Sequence, residues 1–239
     1  MAELGWMAEA FREHGLTVRE VKDWKTRGRP GIFGPRGVIF HHTASSANSG
    51  EAPSLRTCVH GRPGINGPLC NVMIGRDSTV FLVAAGKANH AGKGGPFRNI
   101  PRDSANAFTV GVEVENSGTG EEWSPQLLHT CDVVFAALLL GLRRSPSWLI
   151  GHKEWAAGRK IDPHPLNMDH RRAEVAHQIK AQVEKAGAAA ATKTHVVVKG
   201  DTLFAIARAN RLSVEELMRL NNLDGTLIKP GQRLLVSRP

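Results

Sequence analysis

Gly151-His-Lys-Glu-Trp-Ala-Ala-Gly-Arg-Lys-Ile-Asp-Pro-His-Pro165 is the stretch that the rest of the chain reads as supporting. The apolar run Trp148-Leu149-Ile150 just before it predicts a short buried strand, so His152 stands where a strand ends. Asp162 follows ten residues later in a loop punctuated by glycine and proline, with Lys160 two residues before it. An imidazole, an ammonium and a carboxylate in one loop make a candidate metal site with an electrostatic helper, but two ligands do not complete one. Val38-Ile39-Phe40-His41-His42-Thr43, a second apolar strand ending in histidines, supplies the third. Three protein ligands with a fourth position left to water are the arrangement of a catalytic zinc rather than a structural one.

The 239 residues are 41% hydrophobic and 22% charged, enough for one sizeable globular domain and a small one. A net charge of +9 favours polyanionic partners, whether nucleic acid, anionic lipid or an acidic wall polymer. Aromatic residues are only 5% and no basic run is present, which argues against nucleic acid. The longest apolar run, within 133–142, is too short to span a bilayer, so no stable membrane insertion is expected. Three cysteines at irregular spacing do not suggest a disulfide framework. Cys131 falls on the apolar face of a helix, and whether Cys58 and Cys70 pair stays open. A cysteine peptidase would need a Cys–His pair, and neither Cys58 nor Cys70 with His60 or His90 sits in a recognisable nucleophile context.

Periodicity predicts a helix over 2–14 with Leu4, Met7, Ala8 and Phe11 on one face, ended by Gly15. An extended segment over 18–25, a loop over 27–37 and a strand over 38–42 follow, then a turn or two of helix within 53–60. The runs 69–74 and 79–83, joined by Gly75-Arg76-Asp77-Ser78, predict a hairpin. Residues 108–115 alternate, with Phe108, Val110, Val112 and Val114 on one face and Thr109, Gly111, Glu113 and Glu115 on the other. Ser124-Pro125 opens a helix whose stripe is Leu127, Cys131, Val134, Leu138 and Leu142, and a further helix covers 169–185. The small-residue tract 186–194 has no core candidates and is taken as the domain boundary. Beyond it come a strand at 195–199, two short helices and a closing strand at 231–236.

His195-Val-Val-Val-Lys-Gly-Asp-Thr-Leu-Phe-Ala-Ile-Ala207, Leu212-Ser-Val-Glu-Glu-Leu217, Asn221-Asn-Leu223 and Ile228-Lys-Pro-Gly-Gln-Arg-Leu-Leu-Val236 resemble the LysM module. Asp201 and Thr202 can cap the first helix, Leu203, Ile206 and Ala207 can bury one of its faces, and Asn221 can hold a turn. The resemblance implies a βααβ fold that binds glycans containing N-acetylglucosamine, chiefly peptidoglycan or chitin.

In the larger part, residues 38–44, 69–83, His90-Ala91-Gly92, 109–113 and 151–163 resemble, in that order, the zinc-dependent N-acetylmuramoyl-L-alanine amidases, the superfamily shared with peptidoglycan recognition proteins. The resemblance runs from about residue 33 to 185 and implies a mixed sheet between helices, with Zn2+ in a cleft at its edge. Carried over position by position, it implies His41, His152 and Asp162 as metal ligands. His42 competes with His41 in the residue pattern, and the family uses the first of the pair. Glu113 matches the catalytic acid/base where relatives use glutamate; others use tyrosine, which this chain lacks. Glu115, on the same strand face, is the competing carboxylate and is expected to be solvated. Lys160 matches the lysine that faces the developing charge. Asn71 and His90 are further candidates for substrate contacts.

The expected fold is α+β: an amidase catalytic domain over 1–185 with a mixed sheet flanked by helices, a linker over 186–194, and a small LysM domain over 195–239. The expected function is a zinc-dependent peptidoglycan hydrolase cutting the amide between N-acetylmuramic acid and L-alanine. The alternatives are a bacterial autolysin of the same chemistry and a non-catalytic peptidoglycan-binding protein; the latter would lose a zinc ligand, and all three are present. Catalytic module, linker and wall-binding module resemble a phage endolysin. With no basic-then-apolar leader at its start, the chain is expected to be made in the host cytoplasm without a signal peptide. It would act at the bacterial cell wall and depend on a holin-type partner for release.

Overall fold

The computed structural model describes residues 3–191 and 193–237. The chain divides into two compact units, Met1–Ile179 and Lys180–Pro239. In the first, helix α1 (Met7–Glu13) leads to strands β1 (Val18–Glu20) and β2 (Gly37–His42), then α2 (Leu55–His60) and the small hairpin β3 (Gly61–Arg62) and β4 (Ile65–Asn66). Strands β5 (Val72–Ile74) and β6 (Val80–Leu82), the short helix α3 (Ala105–Phe108), β7 (Thr109–Val114) and the long helix α4 (Pro125–Gly141) follow. Strand β8 (Leu149–Gly151) runs straight into α5 (His152–Trp155), and α6 (Met168–Ala191) begins in the first unit and continues past its last residue, Ile179.

Six strands form one mixed sheet in the order β1-β6-β5-β7-β2-β8. Only β5–β6 is antiparallel, and β2 lies parallel between β7 and β8. Alternation then sorts the side chains. Val38, Phe40, Val72, Ile74, Val110, Val112 and Val114 pack with α1, α4 and α6 in the main core. Ile39 and Ile150 pack with Trp155 on the opposite face, where Met73 meets Cys58, Cys70 and Phe81. Both faces are covered, so every residue of β2 is buried. Ser124 Oγ accepts the Leu127 N–H at 3.2 Å with Pro125 in the first turn, as expected of a helix start.

Several expectations are corrected. The first helix begins at Met7 rather than at residue 2, and Ala2 lies outside the described residues. The extended segment is only β1, and the hairpin strands are shorter than the runs 69–74 and 79–83. Phe108 ends α3 instead of opening β7. The loop after β8 begins with a helical turn, because Gly151 can take an N-cap conformation and its N–H is accepted by Glu154 Oε2 at 2.8 Å. The tract 186–194 is not all linker: α6 continues to Ala191, since alanine is the best helix former and nothing in the run stops propagation. Thr192, within that tract, lies outside the described residues.

The second unit has strand β9 (Thr194–Val196), helices α7 (Leu203–Ala209) and α8 (Val214–Leu220), and strand β10 (Arg233–Leu235), with β9 and β10 antiparallel. Val197, Leu203, Ile206, Ala207, Leu217, Leu234 and Val236 form its core. Thr202 Oγ1 caps α7 by accepting the Ala205 N–H at 3.1 Å. Asp201 instead accepts the Val198 N–H and faces His195 Nε2 at 2.6 Å. Asn221 ties α8 to β10: its Nδ2 donates to the Leu235 carbonyl and its Oδ1 accepts the Leu235 N–H.

Candidate metal centre and cleft

Three side chains from separate elements converge where β2 and β8 end. His41 is the penultimate residue of β2, His152 is the first of α5, and Asp162 sits in the loop beyond, held back by a hydrogen bond from the Lys153 N–H to the Asp162 carbonyl at 2.7 Å. Lys153 Nζ donates to the Leu166 carbonyl at 2.6 Å and fixes the loop further on. His41 Nδ1 lies 2.9 Å from His152 Nδ1 and 3.1 Å from Asp162 Oδ2, and His152 Nδ1 lies 2.8 Å from the same oxygen. All three residues are buried, and together they could hold a metal ion.

The donor set fits a cation. His152 Nε2 lies 2.9 Å from the Ala91 carbonyl oxygen, which can only accept, so Nε2 carries that ring's hydrogen when the ring is neutral. His152 Nδ1 is then bare and faces a carboxylate oxygen at 2.8 Å. Two lone pairs at that separation repel unless a positive charge lies between them. Burial holds the His41 imidazole down to about 4, so at neutral pH it is in the uncharged form that a metal ion requires. His42, its strand neighbour, points to the other face, where its Nδ1 accepts the His164 N–H at 3.2 Å. A Cβ at Gly118 would fall 2.2 Å from the His42 ring, so glycine there is what admits it.

Glu113 is the register partner of His41 in β7, which places both on the same face of the sheet. Its Oε2 is buried with no hydrogen-bond partner among the described residues. Burial pushes its carboxyl up to about 8, with the nearby Asp162 charge adding to the shift and Lys160 opposing it. Glu113, Lys160 and the three converging residues line one cleft of about 970 Å³, whose walls also carry Arg29, Arg62 and Arg159. Residue pattern did not single out these arginines, Lys153 or the Ala91 carbonyl; a lone basic residue in a loop and a backbone oxygen leave no periodic signal.

Glu115 is not the solvated carboxylate expected of it. It is fully buried, accepting from Thr43 Oγ1 at 2.6 Å, Ser45 Oγ at 2.5 Å and the Ser54 N–H at 2.7 Å, with the Arg76 guanidinium 3.8 Å away. These bonds pin the segment from Thr43 to Ser54, and they leave Glu115 no role in the cleft. Glu115→Gln is expected to lower folding stability by about 2–3 kcal/mol, since bonds to a charged acceptor are lost, as read from denaturant midpoints.

The structure separates the two residues expected to contact substrate: His90 lines the cleft and Asn71 does not. Asn71 is wholly buried: its Nδ2 donates to the Ala84 and Gly86 carbonyls and its Oδ1 accepts the Gly111 N–H, so it clamps backbone. His90 sits behind His41, with its Nδ1 3.0 Å from His41 Nε2, and burial holds its imidazole well below the usual range. Cys58, Cys70 and Cys131 are buried free thiols, and burial pushes the Cys70 and Cys131 thiols up, away from the thiolate a nucleophile needs.

Comparison with known proteins agrees with this geometry. Residues 29–165 match the N-acetylmuramoyl-L-alanine amidase family and residues 195–237 match the LysM domain. The chain is 29% identical over 151 residues to the N-acetylmuramoyl-L-alanine amidase XlyA of Bacillus subtilis (strain 168), across 63% of this chain and 44% of that protein. It therefore spans under half the length of this curated relative. The solved catalytic domain of XlyA aligns with a TM-score of 0.50 at 19% identity, covering 67% of this chain and 99% of that one. A selenomethionine derivative of AmpD aligns with a TM-score of 0.50 at 18% identity, covering 66% and 94%. At such identities these two structures bear on the fold alone. The family match takes in more than half of the chain and all three converging residues, and so the chain belongs to the N-acetylmuramoyl-L-alanine amidase family, with a LysM domain following.

Proposed function

We propose that the protein is a zinc-dependent hydrolase that cuts the amide between the lactyl group of N-acetylmuramic acid and the L-alanine of the stem peptide. The observation that carries this is the convergence of His41, His152 and Asp162 in one cleft beside the half-buried Glu113, whose Oε2 has no hydrogen-bond partner among the described residues. When bound, zinc supplies Lewis acidity, lowering the pKa of water towards ~7 and polarising a carbonyl. Glu113 then accepts the proton of the attacking water and passes it to the leaving amine. A carboxyl raised towards neutrality by burial suits both halves of that task. Lys160 faces the negative charge that develops on the carbonyl oxygen, a contribution of about 3–4 kcal/mol for one well-placed donor.

The deciding experiment treats purified peptidoglycan with the protein, before and after chelation and zinc restoration, and identifies the new ends by mass spectrometry. Stem peptides with a free L-alanine amine, released only by the metal-loaded protein, are expected. Cuts between amino acids or within the glycan would refute the assignment.

The LysM unit supports action on an insoluble wall, and lysis by release across the host membrane follows the same reading. Residues 195–239 alone are expected to sediment with purified walls and release no product. A chain ending at Ala191 is expected to turn over soluble muropeptide as the full chain does while clearing walls more slowly, because the tether raises effective concentration without altering the chemistry. A tail left in the supernatant, or a shortened chain dead on soluble substrate, would contradict this division of labour.

A further inference from the structure

Behind His41 the hydrogen-bonding sense of the buried groups can run in one direction only. His90 Nε2 lies 3.3 Å from the Thr109 carbonyl oxygen and 3.3 Å from Thr109 Oγ1. The carbonyl can only accept, and Thr109 Oγ1 spends its own hydrogen on the Ala105 carbonyl at 2.7 Å. Both therefore turn lone pairs towards His90 Nε2, which carries the hydrogen of the neutral ring. His90 Nδ1 is left bare, and it faces His41 Nε2 at 3.0 Å. His41 donates from Nε2, so its Nδ1 is bare, and Nδ1 is the atom that meets His152 and Asp162.

The support is built rather than incidental. Asn106 Oδ1 accepts the backbone N–H groups of both His90 and Ala91, at 3.0 and 2.8 Å. The His90 ring lies over Gly111 of β7, where a Cβ would stand 2.4 Å from His90 Cγ. Glycine in mid-strand here makes room for that ring. The same dipeptide serves both histidines, because the Ala91 carbonyl faces His152 Nε2.

We propose that His90 is a positioning residue that fixes the tautomer of His41, with Asn106 and Gly111 holding it in register. This rests on the metal reading above. Removing the acceptor leaves the His41 hydrogen free to move to Nδ1, where it blocks the ligand position. Partners of this kind are typically worth about 10–100-fold in metal affinity.

The test measures zinc affinity of the full chain by competition with a chromogenic chelator, beside nitrogen-15 shifts of the His41 ring in the metal-free protein. His90→Leu is expected to weaken zinc binding about 10–100-fold. His90→Gln offers an amide oxygen to His41 and an amide N–H to Thr109, and is expected to restore affinity close to the wild type. Gly111→Ala displaces the ring with His90 still present and is expected to weaken binding as His90→Leu does. Wild-type His41 is expected to carry its hydrogen on Nε2. Should His90→Leu fail to fold, His90→Gln and Gly111→Ala decide the same question, one keeping the acceptor and the other displacing it. Unchanged zinc affinity in folded His90→Leu and Gly111→Ala, or a wild-type His41 protonated at Nδ1, would overturn the proposal. Wild-type protein that takes up no zinc although His41 holds the expected tautomer would overturn the metal reading and the proposed benefit to affinity together. The shift measurement distinguishes that failure from the others.

Discussion

Glu113→Gln is expected to reduce hydrolysis by about a hundredfold or more while the protein keeps its metal and its fold. Glutamine matches the shape of the carboxyl but can neither take the proton from water nor return it to the amine. Stability supplies a second readout. The folded carboxyl is raised from 4.5 to about 8, so folding without metal takes up a proton there. The stability tied to Glu113 is complete below about pH 4 and is lost as pH rises through about 8. Glutamine needs no proton, so the metal-free variant should melt above the metal-free wild type at pH 7, with a gap that shrinks on acidification. Melting curves at several pH values, beside rates on soluble muropeptide, check both parts. If Glu115→Gln abolished turnover and Glu113→Gln left it intact, the acid/base role would belong to the other carboxylate.

Asp162→Ala is expected to lower zinc well below one equivalent after dialysis, with hydrolysis lost in step. The variant keeps both imidazoles but removes the only anion of the set, and an ion held by two neutral nitrogens lacks the charge complement a catalytic site uses. The Lys153 N–H to Asp162 carbonyl bond is backbone and survives, so the loop should stay in place. His42→Ala serves as the control: its ring lies on the opposite face against Gly118, and metal content should be retained. Metal analysis of the wild type, Asp162→Ala, His41→Ala and His42→Ala decides the point. Full occupancy in Asp162→Ala or in His41→Ala would remove that residue from the ligand set.

The amidase family, the LysM domain and the mixed α/β sheet were legible in the sequence because ordered local patterns carry them. Strand alternation in Thr109–Val114, the Ser124-Pro125 helix start and the apolar runs before His41 and His152 depend on neighbours in the chain, and local periodicity records such neighbours. The continuation of α6 through the alanine tract is local too, but small residues without core candidates suit a linker as well as a helix, and alanine's helix preference decides it.

Other features needed the tertiary structure. Glu113 and Glu115 are equivalent by alternation, and what separates them is that Thr43, Ser45 and Ser54 fold over one and none of them over the other. His41 and His42 differ in residue pattern only by parity, and the sheet decides which face meets His152 and Asp162. Asn71 and His90 show why the rest is not legible: a polar side chain near a motif has no visible partner in a linear sequence. Their partners come from strands and loops up to 49 residues away. Periodicity reports which face a residue occupies; which atoms satisfy it there depends on chain segments that only folding brings together.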